Sequence, residues 1–446
     1  MKIHLVNLGC ARNLVDGEMM LGLLERAGWS FTDNPAEAGV IIVNTCSFIE
    51  SAAQESVDTL LELATLKKEG VCRRLIATGC LPERYRQEII QELPEVDIFL
   101  GTGAYDRIVD AVEGTIAPDN FLLPPPDKRH PDRSDAPRIL TNVYSTYLKV
   151  SEGCSRHCTY CIIPKLRGRQ RSRPLEDIAA EAENLIRAGA RELNLVAQDT
   201  TSWGYDLNPP QHPAELLQAL SGIDTNVWIR VLYGHPDKYD ERLIRTIGQE
   251  PGICSYFDIP VQHVSSPVLK RMGRNYSRRD LLSLFQKIRA MVPDAVLRTT
   301  LIVGFPGETH QNVEKLLKFI EEVKFDHLGV FTYSDETDLP SHHLPNHVSK
   351  RTAMKRFDQV MRAQALISEK NNEKYIGQTF RVLVEESSEE GVFIGRTWFQ
   401  APDVDGITYI RTFDKPFSDD CRCDIGSVVS VKITDTLEYD LIGEPA

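Results

Sequence analysis

The sequence lacks any uninterrupted apolar run near the roughly 20 residues needed to cross a bilayer. Its first apolar stretch, ending at Gly9-Cys10, is also too short for a signal peptide and reads as a short strand, so a cytoplasmic location is expected. Basic charge is in deficit: 51 Lys and Arg stand against 64 Asp and Glu, a formal net charge of −13. Bulk attraction to nucleic acid is therefore not built into the chain, whereas a basic protein partner is compatible with it. A long charged helix is expected over roughly Lys350–Tyr375, but no apolar heptad repeat runs along it, and the expected state is a monomer. Cysteine is not scarce. Ten cysteines in a reducing cytosol argue against a disulfide framework and towards metal or redox chemistry.

At 446 residues the chain exceeds one ordinary core, and about three domains are expected. In the first, Ile3–Leu8, Val40–Asn44, Leu75–Thr78 and Ile98–Leu100 read as buried strands. Helical faces lie between them, one through Met20, Leu21, Leu24 and Ala27, another through Val57, Leu60, Leu61 and Ala64. This alternation predicts a parallel-sheet α/β domain over 1–123. Proline and charge crowd residues 124–139, read as a linker. Six further strand candidates follow, at Thr146–Val150, Glu192–Val196, Trp228–Leu232, Tyr256–Ile259, Leu297–Val303 and His327–Thr332. They predict an open, partial (β/α)6 barrel over 140–370, with its site at the carboxyl ends of the strands. Over 371–446 the period falls to two, as in a small all-β barrel.

Cys154, Cys158 and Cys161 follow directly on the first strand of the second series. Three thiolates so close can ligate three irons of a cubane cluster and leave the fourth iron open for substrate. A zinc site with His157 as fourth ligand is the rival, made awkward by the adjacency of His157 and Cys158. Cys10, Cys46 and Cys80 share another feature: each sits just past the carboxyl end of an expected parallel strand, the rim where open α/β sheets gather ligands. They read as a second three-cysteine cluster. Cys72, Cys254, Cys421 and Cys423 have no such placement and are assigned no role.

The C-x3-C-x2-C loop resembles the signature of the radical S-adenosylmethionine superfamily. Asn7-Leu8-Gly9-Cys10, Asn44-Thr45-Cys46, Gly79-Cys80-Leu81-Pro82 and Tyr160-Cys161-Ile162-Ile163-Pro164 extend the resemblance to the methylthiotransferases over nearly the whole chain. The resemblance implies two 4Fe-4S clusters, S-adenosyl-L-methionine as cofactor, an electron-donor protein such as flavodoxin, and a C-terminal TRAM domain that presents substrate. It implies a catalytic role for Cys154, Cys158 and Cys161, and a sulfur-carrying cluster on Cys10, Cys46 and Cys80. The segment Thr300–Glu308 resembles the strand end that supports the adenosine, making Gly304 and Gly307 candidates for cofactor contact; Gln198 and Asp199, at another strand end, are similar candidates. Arg167–Pro174 is either a solvated charged loop or that family's basic stretch after the cluster.

The family has a transfer-RNA branch, acting on adenosine, and a branch that modifies the β-carbon of an aspartate in small-subunit ribosomal protein number twelve. Arg12-Asn13, Val15-Asp16, His263 and the acids of Tyr333-Ser334-Asp335-Glu336-Thr337 resemble the protein branch, while Ser47 and Gly17 depart from its pattern. Charge points the same way. From Ile376 to Ala446 there are 14 Asp and Glu against 6 Lys and Arg, a balance that repels RNA and attracts a basic ribosomal protein. His263 reads as a structural histidine at a strand end, not as a base.

Overall fold

Strand β1 (Lys2–Asn7) lies next to β3 (Ala38–Thr45) in a six-stranded, all-parallel sheet of order β2-β1-β3-β4-β5-β6, completed by β2 (Ser30–Phe31), β4 (Arg74–Gly79), β5 (Ile98–Gly101) and β6 (Phe121–Leu122). All eight residues of β3 are buried, the continuous apolar run of a central parallel strand. The computed structural model describes residues 1–68, 70–116, 121–128, 138–389, 391–412 and 423–446. Helices α1 (Ala11–Arg26), α2 (Glu50–Lys68), α3 (Cys80–Tyr85), α4 (Gln87–Glu92) and α5 (Ile108–Glu113) cover the sheet. Two expected faces are shifted: Ala27 is an exposed cap, and Leu61 is 42 % exposed, because α2 packs instead through Ala53, Ser56, Leu60, Leu63 and Ala64.

The second unit carries β7 (Ser145–Lys149) and a short antiparallel pair, β8 (Ser151–Glu152) and β9 (Arg171–Ser172). Parallel strands β10 (Glu192–Val196), β11 (Trp228–Val231), β12 (Tyr256–Asp258), β13 (Val296–Val303) and β14 (His327–Thr332) then follow. They form two three-stranded halves, β11-β10-β7 and β12-β13-β14, around one shared apolar core. Helices α6 (Ile163–Arg167), α7 (Leu175–Ala188), α8 (Pro213–Ser221), α9 (Glu241–Gln249), α10 (Ser266–Arg271), α11 (Arg278–Met291), α12 (His310–Val323) and the long α13 (Lys350–Asn372) accompany them. Among the described residues no helix is long and apolar enough to cross a membrane. The last unit is a closed barrel of order β15-β16-β17-β19-β18, with β15 (Thr379–Glu389), β16 (Val392–Thr397), β17 (Thr408–Arg411), β18 (Val428–Thr436) and β19 (Leu441–Pro445).

Buried charge joins the units. The Asp16 carboxylate of α1 receives Lys149 at 2.6 Å and the Arg167 guanidinium. Glu192 on β10 takes Arg230 and Arg396 at 2.7 Å each, so the small barrel is pinned to the large one through Arg396 of β16. The Asp405 carboxylate is likewise turned inward, receiving the Tyr256 hydroxyl at 2.5 Å and Arg298 at 3.3 Å. The acidity of the C-terminal unit thus serves in part for docking. Of the expected linker, Pro126–Lys128 form a 3-10 turn, and Asp127 accepts from the Arg169 amide at 2.6 Å. The rest of its proline-rich run, residues 129–137, and Cys421 lie outside the described residues.

Candidate metal centres

Cys10 caps the start of α1 directly after β1, Cys46 follows β3, and Cys80 opens α3 directly after β4. The adjacent strands β1, β3 and β4 therefore deliver three thiols to one rim of the sheet. The crowding demands glycine. Gly9 has φ +92°, and a Cβ there would lie 2.7 Å from the Cβ of Cys46; Gly79 has φ +96°, and a Cβ there would lie 2.7 Å from Asn44 Oδ1. Both departures from the family pattern have local reasons. Ser47 Oγ donates to the Cys80 carbonyl at 2.9 Å, and a Cβ on Gly17 would collide with Asn7 Oδ1 at 1.9 Å.

The three thiols feel one another. Burial raises the Cys46 pKa and pushes Cys80 up to about 12, and the neighbouring thiolates add to both shifts. Burial also raises Cys10, but Arg12 and Arg167 outweigh it and hold that thiol below its usual value. Arg167, 3 % exposed, donates to Asn13 Oδ1 at 3.0 Å and points a second N–H at Cys80 Sγ, 3.7 Å away. Arg173 is 1 % exposed and paired with Glu181 at 2.6 Å. For Arg167 and Arg173 a solvated loop is therefore excluded, while Arg169 is exposed.

Cys154, Cys158 and Cys161 stand on a loop braced by backbone bonds from Cys154 to Gly168 (3.0 Å) and from Thr159 to Met272 (3.1 Å). Burial raises the Cys154 pKa and pushes Cys161 up to about 12, again with contributions from the neighbouring thiolates. His157 is exposed and lines a neighbouring recess with Cys158, but not the cavity that all three cysteines share, which speaks against it as the fourth ligand of the zinc reading. Among the described residues no three His, Cys, Asp or Glu side chains converge as for a single metal ion. Each triad is suited instead to a cubane cluster, in which its thiolates would ligate three different irons. Buried thiols that are costly to ionise alone become thiolates once a metal supplies positive charge.

The loop triad of Cys154, Cys158 and Cys161 opens into a cavity of about 340 Å³ whose wall also includes Arg12, Gln198, Asp199, Tyr233, Gln262 and Thr300. Gln198 Nε2 donates to Glu152 at 2.7 Å, while Gln198 Oε1 is buried without a partner, an acceptor suited to a cofactor hydroxyl or ammonium group. Asp199 is held by Arg156 at 2.6 Å. Gly304 and Gly307 do not line this cavity: Gly304 packs beneath Ala353, and Gly307 beneath the Arg271 guanidinium. Thr300, earlier in the same segment, reaches the wall instead. His263 is buried away from the cavity, its Nδ1 accepting from the amides of Val264 and Ser265 at 2.8 and 2.9 Å, and burial pushes its pKa down to about 3. It remains a neutral cap. Sequence reasoning passed over Tyr233 and Gln262 as cavity residues; both hold positive φ, 61° and 64°, a strain that leaves no mark in composition.

Residues 2–101 match a family described as uncharacterized protein family UPF0004, residues 148–320 the radical SAM superfamily, and residues 376–445 the TRAM domain. The chain is 53 % identical over 445 residues to a ribosomal protein uS12 methylthiotransferase RimO of Desulfosudis oleivorans, covering all of both chains. It is 47 % identical to the RimO of Clostridioides difficile, over 100 % of this chain and 98 % of that one. This chain belongs to the RimO family of radical S-adenosylmethionine methylthiotransferases. Outside the RimO proteins the fold is shared with a solved radical S-adenosylmethionine methyltransferase, TsrM from Kitasatospora setae. There the TM-score is 0.58 at 12 % identity, over 83 % of this chain and 90 % of that one. In RimO terms the cysteine loop lies in the radical SAM unit, and Cys10, Cys46 and Cys80 lie in the N-terminal unit.

Proposed function

We propose that this chain adds a methylthio group to the β-carbon of an aspartate in small-subunit ribosomal protein uS12. In this reading Cys154, Cys158 and Cys161 hold a 4Fe-4S cluster at which S-adenosylmethionine binds, and Cys10, Cys46 and Cys80 hold a second. When bound, these groups supply a hydrogen-abstracting radical on one side and a methylated sulfur on the other. The chain's own residues do the rest. Gln198 offers its free amide oxygen to the cofactor, Arg156 fixes Asp199 at the wall, and Arg167 locks the N-terminal unit onto the barrel beside Cys80.

The observation that carries this reading is the shared cavity: its wall takes the three loop cysteines from one unit and Arg12, two residues from Cys10, from another. Its apolar lining supports a protein substrate. Phe48 of the N-terminal unit, Phe331 of β14 and Val404 of the small barrel all line it, yet are 41, 57 and 49 % exposed. One apolar contact from each unit suits a polypeptide segment entering among all three. Such an enzyme works in the cytoplasm as a monomer and draws electrons from a flavodoxin-like donor. The test is co-expression with uS12 and mass spectrometry of its aspartate-containing peptides. A methylthio increment on aspartate is expected; its absence with both clusters loaded, or its appearance on transfer-RNA adenosine instead, rejects the reading.

A further inference from the structure

An aspartate entering this cavity brings a carboxylate with it, and an unpaired carboxylate taken from water costs several kcal/mol unless a cation receives it. Four arginines line the wall. Arg156 is committed to Asp199 and, at 2.8 Å, to Asp237. Arg298 is committed to Asp258 at 2.9 Å and to Asp405. Among the described residues Arg274 forms no ion pair, but its guanidinium donates to the Tyr160 hydroxyl at 2.8 and 3.1 Å, beside the loop triad, and also lines the neighbouring recess. In the proposed reading it stands beside the triad that would bind the cofactor, away from Cys10, Cys46 and Cys80 in the chain.

Arg12 is different. One N–H donates to the Ala197 carbonyl at 3.0 Å, the guanidinium lies 4.8 Å over the ring of Tyr233, and among the described residues it forms no ion pair with a carboxylate, its charge being felt by the Cys10 thiol and by Glu152 without a salt bridge to either. Stacking on an aromatic face leaves the donor edge of the fork open, the geometry that receives a carboxylate in two parallel hydrogen bonds. Its support is built: Tyr233, at φ 61°, is anchored by its amide to the Asp258 carboxylate at 2.8 Å. Strain retained beneath a cavity residue marks preorganisation.

We propose that Arg12 is the residue that binds the carboxylate of the substrate aspartate, holding its β-carbon between the two cysteine triads. This rests on the uS12 reading and deepens it: selection for aspartate is made by the unit that holds the sulfur-carrying centre.

The test uses reconstituted holoenzyme with two substrates, uS12 and its Asp→Asn variant at the modified position, and measures kcat/KM on each together with 5′-deoxyadenosine formed per methylthiolated product. The native enzyme should prefer aspartate by about 10- to 100-fold, as for a charged hydrogen bond. Arg12→Gln should erase that preference, acting mainly through KM, and raise the deoxyadenosine formed per product; Arg12→Lys should restore part of the preference. If Arg12→Gln keeps the native preference, or if deoxyadenosine and product fall in constant ratio, the proposal is overturned. Lack of any product from the native enzyme on uS12 overturns the functional reading and this proposal with it, whereas product with undiminished discrimination by Arg12→Gln overturns this proposal alone.

Discussion

Cys154, Cys158 and Cys161 lie in a single loop after β7, whereas Cys10, Cys46 and Cys80 arrive from the ends of three parallel strands. The loop triad takes its three ligands from one short stretch of chain, braced by the turn at Gly168 and, through Thr159, by the backbone of Arg271, Met272 and Ser341. The strand-end triad depends on the register of β1, β3 and β4, on glycines before two of its cysteines, and on an arginine contributed by the neighbouring unit. One centre is therefore local and the other an outcome of tertiary packing, so the two should fail in different ways.

The sharpest break is between the triads themselves. Cys154→Ala should abolish 5′-deoxyadenosine formation and methylthiolation together. Cys46→Ala should abolish methylthiolation while S-adenosylmethionine is still cleaved. Each variant should lose about half the bound iron if, as proposed, each triad holds one cubane. Iron analysis and chromatography of deoxyadenosine separate the two; a Cys46→Ala protein that cleaves no S-adenosylmethionine would show that the centres are not separable.

The same contrast governs what sequence reveals. The loop triad is legible because its ligands are neighbours in the chain. The strand-end triad is legible only through a repeated position, cysteine after an apolar strand. Arg12 stands out as a family-like residue, but nothing in its neighbourhood places it over Tyr233, because that contact is made across units. The ion pairs of Arg167 with Asp16 and of Arg396 with Glu192 are equally silent, since a buried arginine and a solvated one look alike in sequence. The strand and barrel pattern was readable from period and turn residues. Which face of α2 packs was not, because Ser56 replaces an apolar residue where its hydroxyl bonds the backbone of Cys46.

Arg167 tests whether the strand-end triad depends on docking. Arg167→Met leaves Asp16 with Lys149 alone and removes the donor to Asn13 and Cys80. Breaking a buried pair this way costs about 3–5 kcal/mol, so the thermal midpoint should fall. Iron should be lost first from the strand-end centre, which the electronic spectra of Arg167→Met and Arg167→Met/Cys46→Ala would resolve.

Glu192 offers the reverse control, a seam that touches neither triad. Burial raises its pKa, but Arg396 and Arg230 overcome this and hold it at about 2, against 4.5 for a free glutamate. A carboxyl depressed in the folded state stabilises above its unfolded value and loses that contribution as pH falls through the folded one. The loss should run between about pH 4.5 and 2, and by linkage amounts to roughly 3 kcal/mol. Thermal melts of the metal-free protein across that window should steepen for the native chain and flatten for Glu192→Gln, with the iron content of loaded protein at neutral pH following neither.

The smallest effect belongs to Gly79→Ala, which tests the geometry of one ligand. At φ +96° a Cβ is strained, and here it would also press on Asn44 Oδ1 and the Thr45 carbonyl at 2.7 and 2.8 Å. Strain of this kind costs about 1–3 kcal/mol, less than the loss of Arg167. Its consequence is local because Gly79 joins β4 to α3: relief must come by shifting Cys80, while the loop after β7 shares no backbone bond with this turn. Iron should therefore be retained by the loop triad and bound more weakly by the strand-end triad, read by chelator competition at each centre. Equal weakening of both would mean that the two centres share a support the strand register does not explain.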